Sequence, residues 1–214
     1  SMANNTIKRR KESTEKYIDA LLDNNSKLCG VRVDLKYKQE FAKDVSLDTI
    51  NKDLKRMLDN RRNNKTVFGN NLGYIIKKEV SDKGNLHLHA LFLEDGNKVQ
   101  KAAYKADQIG KYWSEDITKG KGCYENCNKN KYEKNGIGMV DYTDEEKINN
   151  LKKHAVSYFY KTDKQSIDEI KTNPKDRAIV RGTIPKPKSK AGRPRKDTTK
   201  LDNLNLIEEN TKYN

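Results

Sequence analysis

Long apolar runs are missing from this 214-residue chain. No stretch of about 18 apolar residues occurs, so no transmembrane helix is expected. The basic stretch Lys8-Arg9-Arg10-Lys11 has no apolar segment after it, which does not fit a secretory signal. Cysteine is scarce. Cys29, Cys123 and Cys127 make an odd set, unsuited to a disulfide framework and expected as reduced thiols of a cytoplasmic protein. Cys123 and Cys127 are close in sequence, but further zinc ligands are lacking nearby. His87, His89 and His154 are the only histidines, too few for the multi-histidine site of a barrel hydrolase of the amidohydrolase kind. A Walker phosphate loop is also absent, so duplex unwinding would fall to a partner.

What is present is charge. Hydrophobic residues are only 33% of the chain, against about 45–50% in ordinary domains on a count that includes Gly. Lys and Arg number 45 against 31 Asp and Glu, a net charge of +14. Such a balance points to a polyanionic partner, nucleic acid first. The alternative is charge that serves solubility alone. The apolar residues cluster in periodic segments, so one domain with an appendage is expected.

Residues 6–25 read as a charged helix with Ile7, Tyr17, Ile18, Leu21 and Leu22 on its apolar side. Residues 28–37 (LCGVRVDLKY) alternate like a half-buried strand, with Val31, Val33 and Leu35 on one face. Ser46 can cap a helix over 46–62, where Leu47, Ile50, Leu54, Met57 and Leu58 recur at helical spacing. Residues 72–80 and 86–93 are strands joined by Ser81-Asp82-Lys83-Gly84-Asn85, turn chemistry that predicts a β-hairpin. A helix over 98–115, a loop over 117–136, a strand over 137–142 and a helix over 144–162 follow, then a weak strand at 178–180. This order predicts an α+β fold: a ferredoxin-like antiparallel sheet (βαββαβ core) with helices on one face and an added C-terminal catalytic helix. The expected parts are an N-terminal helix (1–26), a central domain (27–184) and a basic, largely disordered tail (185–214).

His87-Leu88-His89 lies on a predicted strand, where residues two apart share a face. Two imidazoles side by side suit a metal. The hairpin turn folds Glu79 back beside His87, completing a three-ligand set with open positions for Mn²⁺ or Mg²⁺. A metal there would act as a Lewis acid on a phosphodiester. Glu79 has a second reading, as a carboxylate paired with Lys77 or Lys78, and Asp82 and Asp34 are weaker substitutes. On the last helix, His154, Tyr158 and Lys161 share a face with Leu151 and Ala155. Tyr158 there is either a nucleophile or a core aromatic. Its phenol needs help to ionise, and Lys161 can supply a field or hold the phosphate. Tyr160 lies about 200° round the helix from Tyr158, so only one tyrosine is expected at the site. That one is Tyr158, with Tyr160 packing or contacting DNA. His154 reads as a proton shuttle, an auxiliary metal contact or a plain polar contact.

These residues resemble the HUH endonuclease superfamily of rolling-circle replication initiators and relaxases. HLH at 87–89 looks like its paired histidines, Glu79 like the third ligand of the neighbouring strand, and Tyr158-Phe159-Tyr160-Lys161 like the Tyr-x-x-Lys of its single-tyrosine members. VRVDL (31–35), SYFYK (157–161) and the tail's GRPRK further resemble initiators of inovirus type and of integrated elements. The resemblance covers about residues 28–184 and lacks the paired tyrosines, one helical turn apart, of some phage initiators. It implies a 5′-phosphotyrosine on Tyr158, a released 3′-OH that primes replication, and later rejoining. The implied partners are single-stranded DNA, an origin hairpin or duplex, and a host helicase and polymerase, with no membrane. A relaxase for conjugative mobilisation would share the chemistry. A noncatalytic DNA-binding protein would bind equally well without Tyr158.

In the tail, Lys190, Arg193, Arg195 and Lys196 flank a Gly-Arg-Pro core that resembles an AT-hook, fit for a narrow A·T-rich minor groove. The other reading is a generic basic tail. Either raises the salt sensitivity of binding.

Overall fold

Alternation along one strand divides the protein into two layers. The structure is a computed structural model describing residues 1–129, 138–159 and 166–188. In β1 (Lys27–Tyr37), Cys29, Val31, Val33, Leu35 and Tyr37 enter one core and Leu28 the other, as a two-residue repeat requires. β1 pairs with β3 (Leu86–Asp95), β3 with β2 (Asn71–Val80), and β2 with β6 (Ile179–Arg181), all antiparallel. The other edge of β1 carries two strands end to end. β4 (Gly122–Asn126) runs along Val33–Tyr37, and β5 (Gly138–Asp141) along Lys27–Gly30. The sheet order is β4-β1-β3-β2-β6, with β5 also on β1.

The α+β class is the one the sequence predicts, but helices cover both faces of the sheet rather than one. On the first face α2 (Gln39–Ala42), α3 (Leu47–Asn60), α4 (Lys65–Phe68) and α5 (Ala102–Lys111) pack on Val31, Val33, Leu35, Leu88, Ala90 and Phe92. On the second, α1 (Met2–Asn24) and α6 (Glu145–Ser157) pack on Leu28, Ile75, Leu91 and Leu93. Ser46 caps α3 by accepting the Thr49 N–H, and Asp144 caps α6 by accepting that of Lys147. Among the described residues no helix is long and apolar enough to cross a membrane.

Several boundaries differ from expectation. α1 starts at Met2 rather than residue 6, and Tyr17, Ile18, Leu21 and Leu22 of its expected apolar side are buried against the sheet. The Tyr17 hydroxyl accepts the Tyr74 N–H at 3.1 Å, and a Cβ on Gly73 would stand 2.2 Å from that oxygen, so the helix needs glycine there. The stretch 117–136, expected as loop, contains β4. Its polar sequence hides a strand set by tertiary contact, with the Tyr124 ring packed where a Cβ on Gly110 would fall. The helix expected over 98–115 starts at Ala102 and continues as a π-helical turn over Tyr112–Ile117. α6 stops at Ser157 rather than 162. The first tail residues are tethered to α1. Asn24 donates to the Lys186 carbonyl at 2.9 Å and accepts the Lys188 N–H at 3.0 Å.

Candidate functional site

The second face is apolar only under α1 and α6. Toward the β2–β3 turn it becomes polar, because Lys77, Glu79, His87, His89, Arg32 and Asp34 occupy the strand positions whose side chains share that side. The turn that aligns them is tight. Ser81 donates its N–H to the Asn85 carbonyl at 2.8 Å, the Asn85 N–H reaches the Ser81 hydroxyl at 3.1 Å, and Gly84 takes φ 81°, where a side chain would be strained. Glu79 therefore stands opposite His87, and Lys77 and Asp34 flank His89 across neighbouring strands.

Two acid–imidazole pairs result. His87 Nε2 lies 3.0 Å from Glu79 Oε2, and Lys77 Nζ lies 3.9 Å from Glu79 Oε1. His89 Nδ1 lies 3.0 Å from Asp34 Oδ1. Beneath the second pair is Arg32, whose side chain is fully buried. Its guanidinium donates to the Ala90 carbonyl and to Asp34 Oδ1 at 3.2 Å, and sits 3.0 Å from His89 Nδ1. Burial alone would raise the Asp34 carboxyl. The hydrogen bond from His89 and the charge of Arg32 prevail and hold it well below the usual carboxylate range. Asp34 is thus ionised and accepts from both donors. We assign the His89 proton to Nδ1 on this network, which puts the imidazole lone pair on Nε2.

Tyr158 directly follows α6 and keeps helical backbone angles (φ −58°, ψ −27°), so it continues the stripe of Leu151 and Ala155. Its ring is buried edge-on against His89, with centroids 4.7 Å apart, and against His154 at 5.6 Å. The Arg32 guanidinium carbon is 6.0 Å from the Tyr158 centroid. Glu79, His87, His89, His154 and Tyr158 are therefore gathered at one end of one face. Tyr160, Lys161, Lys190, Arg193, Arg195 and Lys196 lie outside the described residues.

Carboxylate oxygens and imidazole nitrogens are the donor types a hard divalent ion accepts, so the residues fit Mn²⁺ or Mg²⁺ in kind. They stand as two pairs, with no group of three or more His, Cys, Asp or Glu side chains among the described residues arranged to hold an ion. Sequence reasoning missed Arg32, named Lys77 only in the second reading of Glu79, where the structure places it at 3.9 Å, and named Asp34 only as a weaker substitute for Glu79, whereas it pairs with His89. The signal for two of them was in VRVDL: if Val31, Val33 and Leu35 share one face, Arg32 and Asp34 share the other.

No curated protein and no solved structure matches the chain. A family model, the YagK/YfjJ C-terminal domain, matches residues 1–173, from α1 to beyond α6. With most of its length covered, the chain belongs to the YagK/YfjJ C-terminal domain family.

Proposed function

We propose that this protein nicks and rejoins single-stranded DNA by transesterification at Tyr158, in the manner of the HUH endonucleases it resembles, and so initiates rolling-circle replication of a phage, plasmid or integrated element. The observation that carries the reading is the edge-on packing of Tyr158 on His89 at 4.7 Å. Two motifs distant in sequence meet there, and β3 brings His87 with His89 while its hairpin partner β2 sets Glu79 opposite His87.

The Tyr158 oxygen attacks a backbone phosphorus. The phenol gives up its proton as a P–O(Tyr) bond forms, the P–O3′ bond breaks, and the released 3′ oxygen takes up one proton, so the exchange is balanced. The 5′-phosphotyrosine keeps the phosphodiester count unchanged, so return of the 3′-OH reverses the step and rejoins the strand. A divalent Mn²⁺ or Mg²⁺ held by Glu79, His87 and His89 would supply Lewis-acid polarisation of the phosphate. The protein's part is to hold the groups still. Asp34, itself held by Arg32, fixes the ring of His89, and Leu151 and Ala155 seat Tyr158 against it. Lys161 reads as a phosphate contact or a source of positive field, His154 as a shuttle or auxiliary contact, and Tyr160 as a packing or DNA contact. The basic tail residues Lys190, Arg193, Arg195 and Lys196 would add affinity for duplex DNA near the origin.

The test incubates the full chain with a pool of single-stranded oligonucleotides and Mn²⁺. A covalent protein–DNA adduct is expected on a denaturing gel, absent with chelator and absent in Tyr158→Phe. Adducts that persist in Tyr158→Phe but vanish in Tyr160→Phe would make Tyr160 the nucleophile. No adduct from the wild-type chain on any oligonucleotide would leave a noncatalytic DNA-binding protein.

A further inference from the structure

On the opposite face of the sheet, at the same end, lies a cleft of about 340 Å³. Tyr37 closes it from β1, Phe41 from α2, Asp53 and Arg56 from α3, and Lys119 and Lys121 from the loop before β4. The volume falls in the range of small-molecule sites, about 300–1,000 Å³. Its walls are fixed by hydrogen bonds. Tyr37 donates to Asp53 at 2.6 Å, and Arg56 donates to the Ile117 carbonyl at 2.9 Å and to Asp53 at 3.3 Å.

The loop that carries the two lysines is specially built. The π-helical turn ends at Ile117, and the Gly122 N–H donates to the Thr118 hydroxyl at 2.8 Å. The Lys38 N–H donates to the Lys121 carbonyl at 2.9 Å. Lys119 has φ 54°, the one positive value among the described non-glycine residues. Left-handed non-glycine residues and π-turns both concentrate at functional sites. The strained backbone holds Lys119 and Lys121 on the rim, with Lys121 Nζ 5.9 Å from the Phe41 ring centroid. Three cations (Arg56, Lys119, Lys121) outnumber two carboxylates (Asp44, Asp53) in the lining.

An aromatic ring beside a surplus of cations, in a preformed cleft of this volume, is what one nucleotide needs: a face for the base to stack on and charge for its phosphate. We propose that this cleft binds one nucleotide of the single strand, flanking the nick, and so contributes to choice of the nicked site. The proposal rests on the reading of the protein as a single-strand nuclease. Tyr37 is three residues beyond Asp34 on β1, about 10 Å along the strand. A single strand that passes round this end of the sheet reaches both the Tyr158 face and the cleft.

The experiment uses the full chain and single-stranded oligonucleotides carrying 5-iodouracil at one position at a time. Ultraviolet crosslinks are mapped on peptides, and affinity is read by fluorescence anisotropy for the wild type, Phe41→Ala and Lys121→Glu, each checked for an unchanged melting temperature. The expected crosslink falls on the peptides containing Phe41 or Lys119–Lys121, from one oligonucleotide position. Each variant weakens binding about tenfold, the size of one base–aromatic stack or less, and loses that crosslink. If the wild-type chain forms its Tyr158 adduct while crosslinks map elsewhere and both variants bind normally, the cleft proposal is overturned and the nuclease reading stands. If the wild-type chain binds no single strand and forms no adduct, both fall together. Saturable binding of free deoxynucleoside monophosphates, lost in Phe41→Ala without any change toward oligonucleotides, would assign the cleft to a free nucleotide and overturn the strand subsite.

Discussion

The two faces of the sheet are made from the same strands and serve opposite ends. Under α3 and α5, Val31, Val33, Leu35, Leu88, Ala90 and Phe92 are all wholly buried, and their side chains are apolar. On the other face, Leu91 and Leu93 give way within one strand repeat to His89 and His87, and Ile75 to Lys77 and Glu79. HLH at 87–89 shows the division in three residues, with Leu88 in one core and the two imidazoles on the other side. Burying charge is costly unless it is paired and hydrogen-bonded. The polar face satisfies that condition through its pairs, Glu79 with His87 and Asp34 with both His89 and Arg32. The first face is apolar along the strands, whereas the second is apolar at one end and a paired polar cluster at the other, and the difference can be broken from either side.

The largest effect is expected on the sealed face. Phe92→Ala removes a fully buried ring that lies 6.1 Å from Phe68, at a cost of about 3–5 kcal/mol in urea unfolding. Below its melting temperature the surviving folded fraction should still form the Tyr158 adduct. Loss of adduct per folded molecule would show that the two faces are not separable.

On the polar face, Asp34→Ala removes the acceptor that orients His89. Loss of a group that holds a metal-binding imidazole in place lowers metal affinity about 10–100-fold, which a Mn²⁺ titration of the folded protein measures. Equal affinity in the variant would remove Asp34 from the support of the site. Glu79→Ala, His87→Ala and His89→Ala should weaken Mn²⁺ binding further, since each removes a donor itself.

The smallest effect compares a buried carboxyl with a half-buried one. Glu94 sits on the sealed face, where burial pushes its carboxyl up to about 7 against the Asn71 hydrogen bond and the charges of Lys105 and Arg61. Asp34, on the polar face, is held down. The signs for stability are opposite. A depressed Asp34 stabilises the fold above its unfolded-state value, near pH 4, and that stabilisation is lost as pH falls. A raised Glu94 keeps a proton that the unfolded chain gives up, so stability declines as pH rises from about 4 to about 7. Glu94→Gln should therefore raise the melting temperature more at pH 8 than at pH 5. An equal change at both would mean that Glu94 titrates alike in the folded and unfolded chain.

Much of this was legible in the chain. Strand alternation put His87 and His89 on one side, turn chemistry at 81–85 made the hairpin, and helical spacing aligned His154, Leu151, Ala155 and Tyr158. The hidden parts depend on partners distant in sequence. β4 is a strand because β1 offers it an edge and Gly110 admits Tyr124, which no local propensity records. Arg32 belongs to the site because Asp34, His89 and Tyr158 close round it, whereas an arginine between two valines reads locally as a solvent-facing position.

The sequence by itself determined the α+β class, the hairpin and which residues carry donor atoms, because those follow from periods of two and 3.6 and from side-chain chemistry. Only the tertiary structure decided that α1 and α6 share the second face, that Tyr158 rests on His89, and that a cleft opens behind them. Those facts depend on which faces bury each other, and a chain read one residue after another does not contain that pairing.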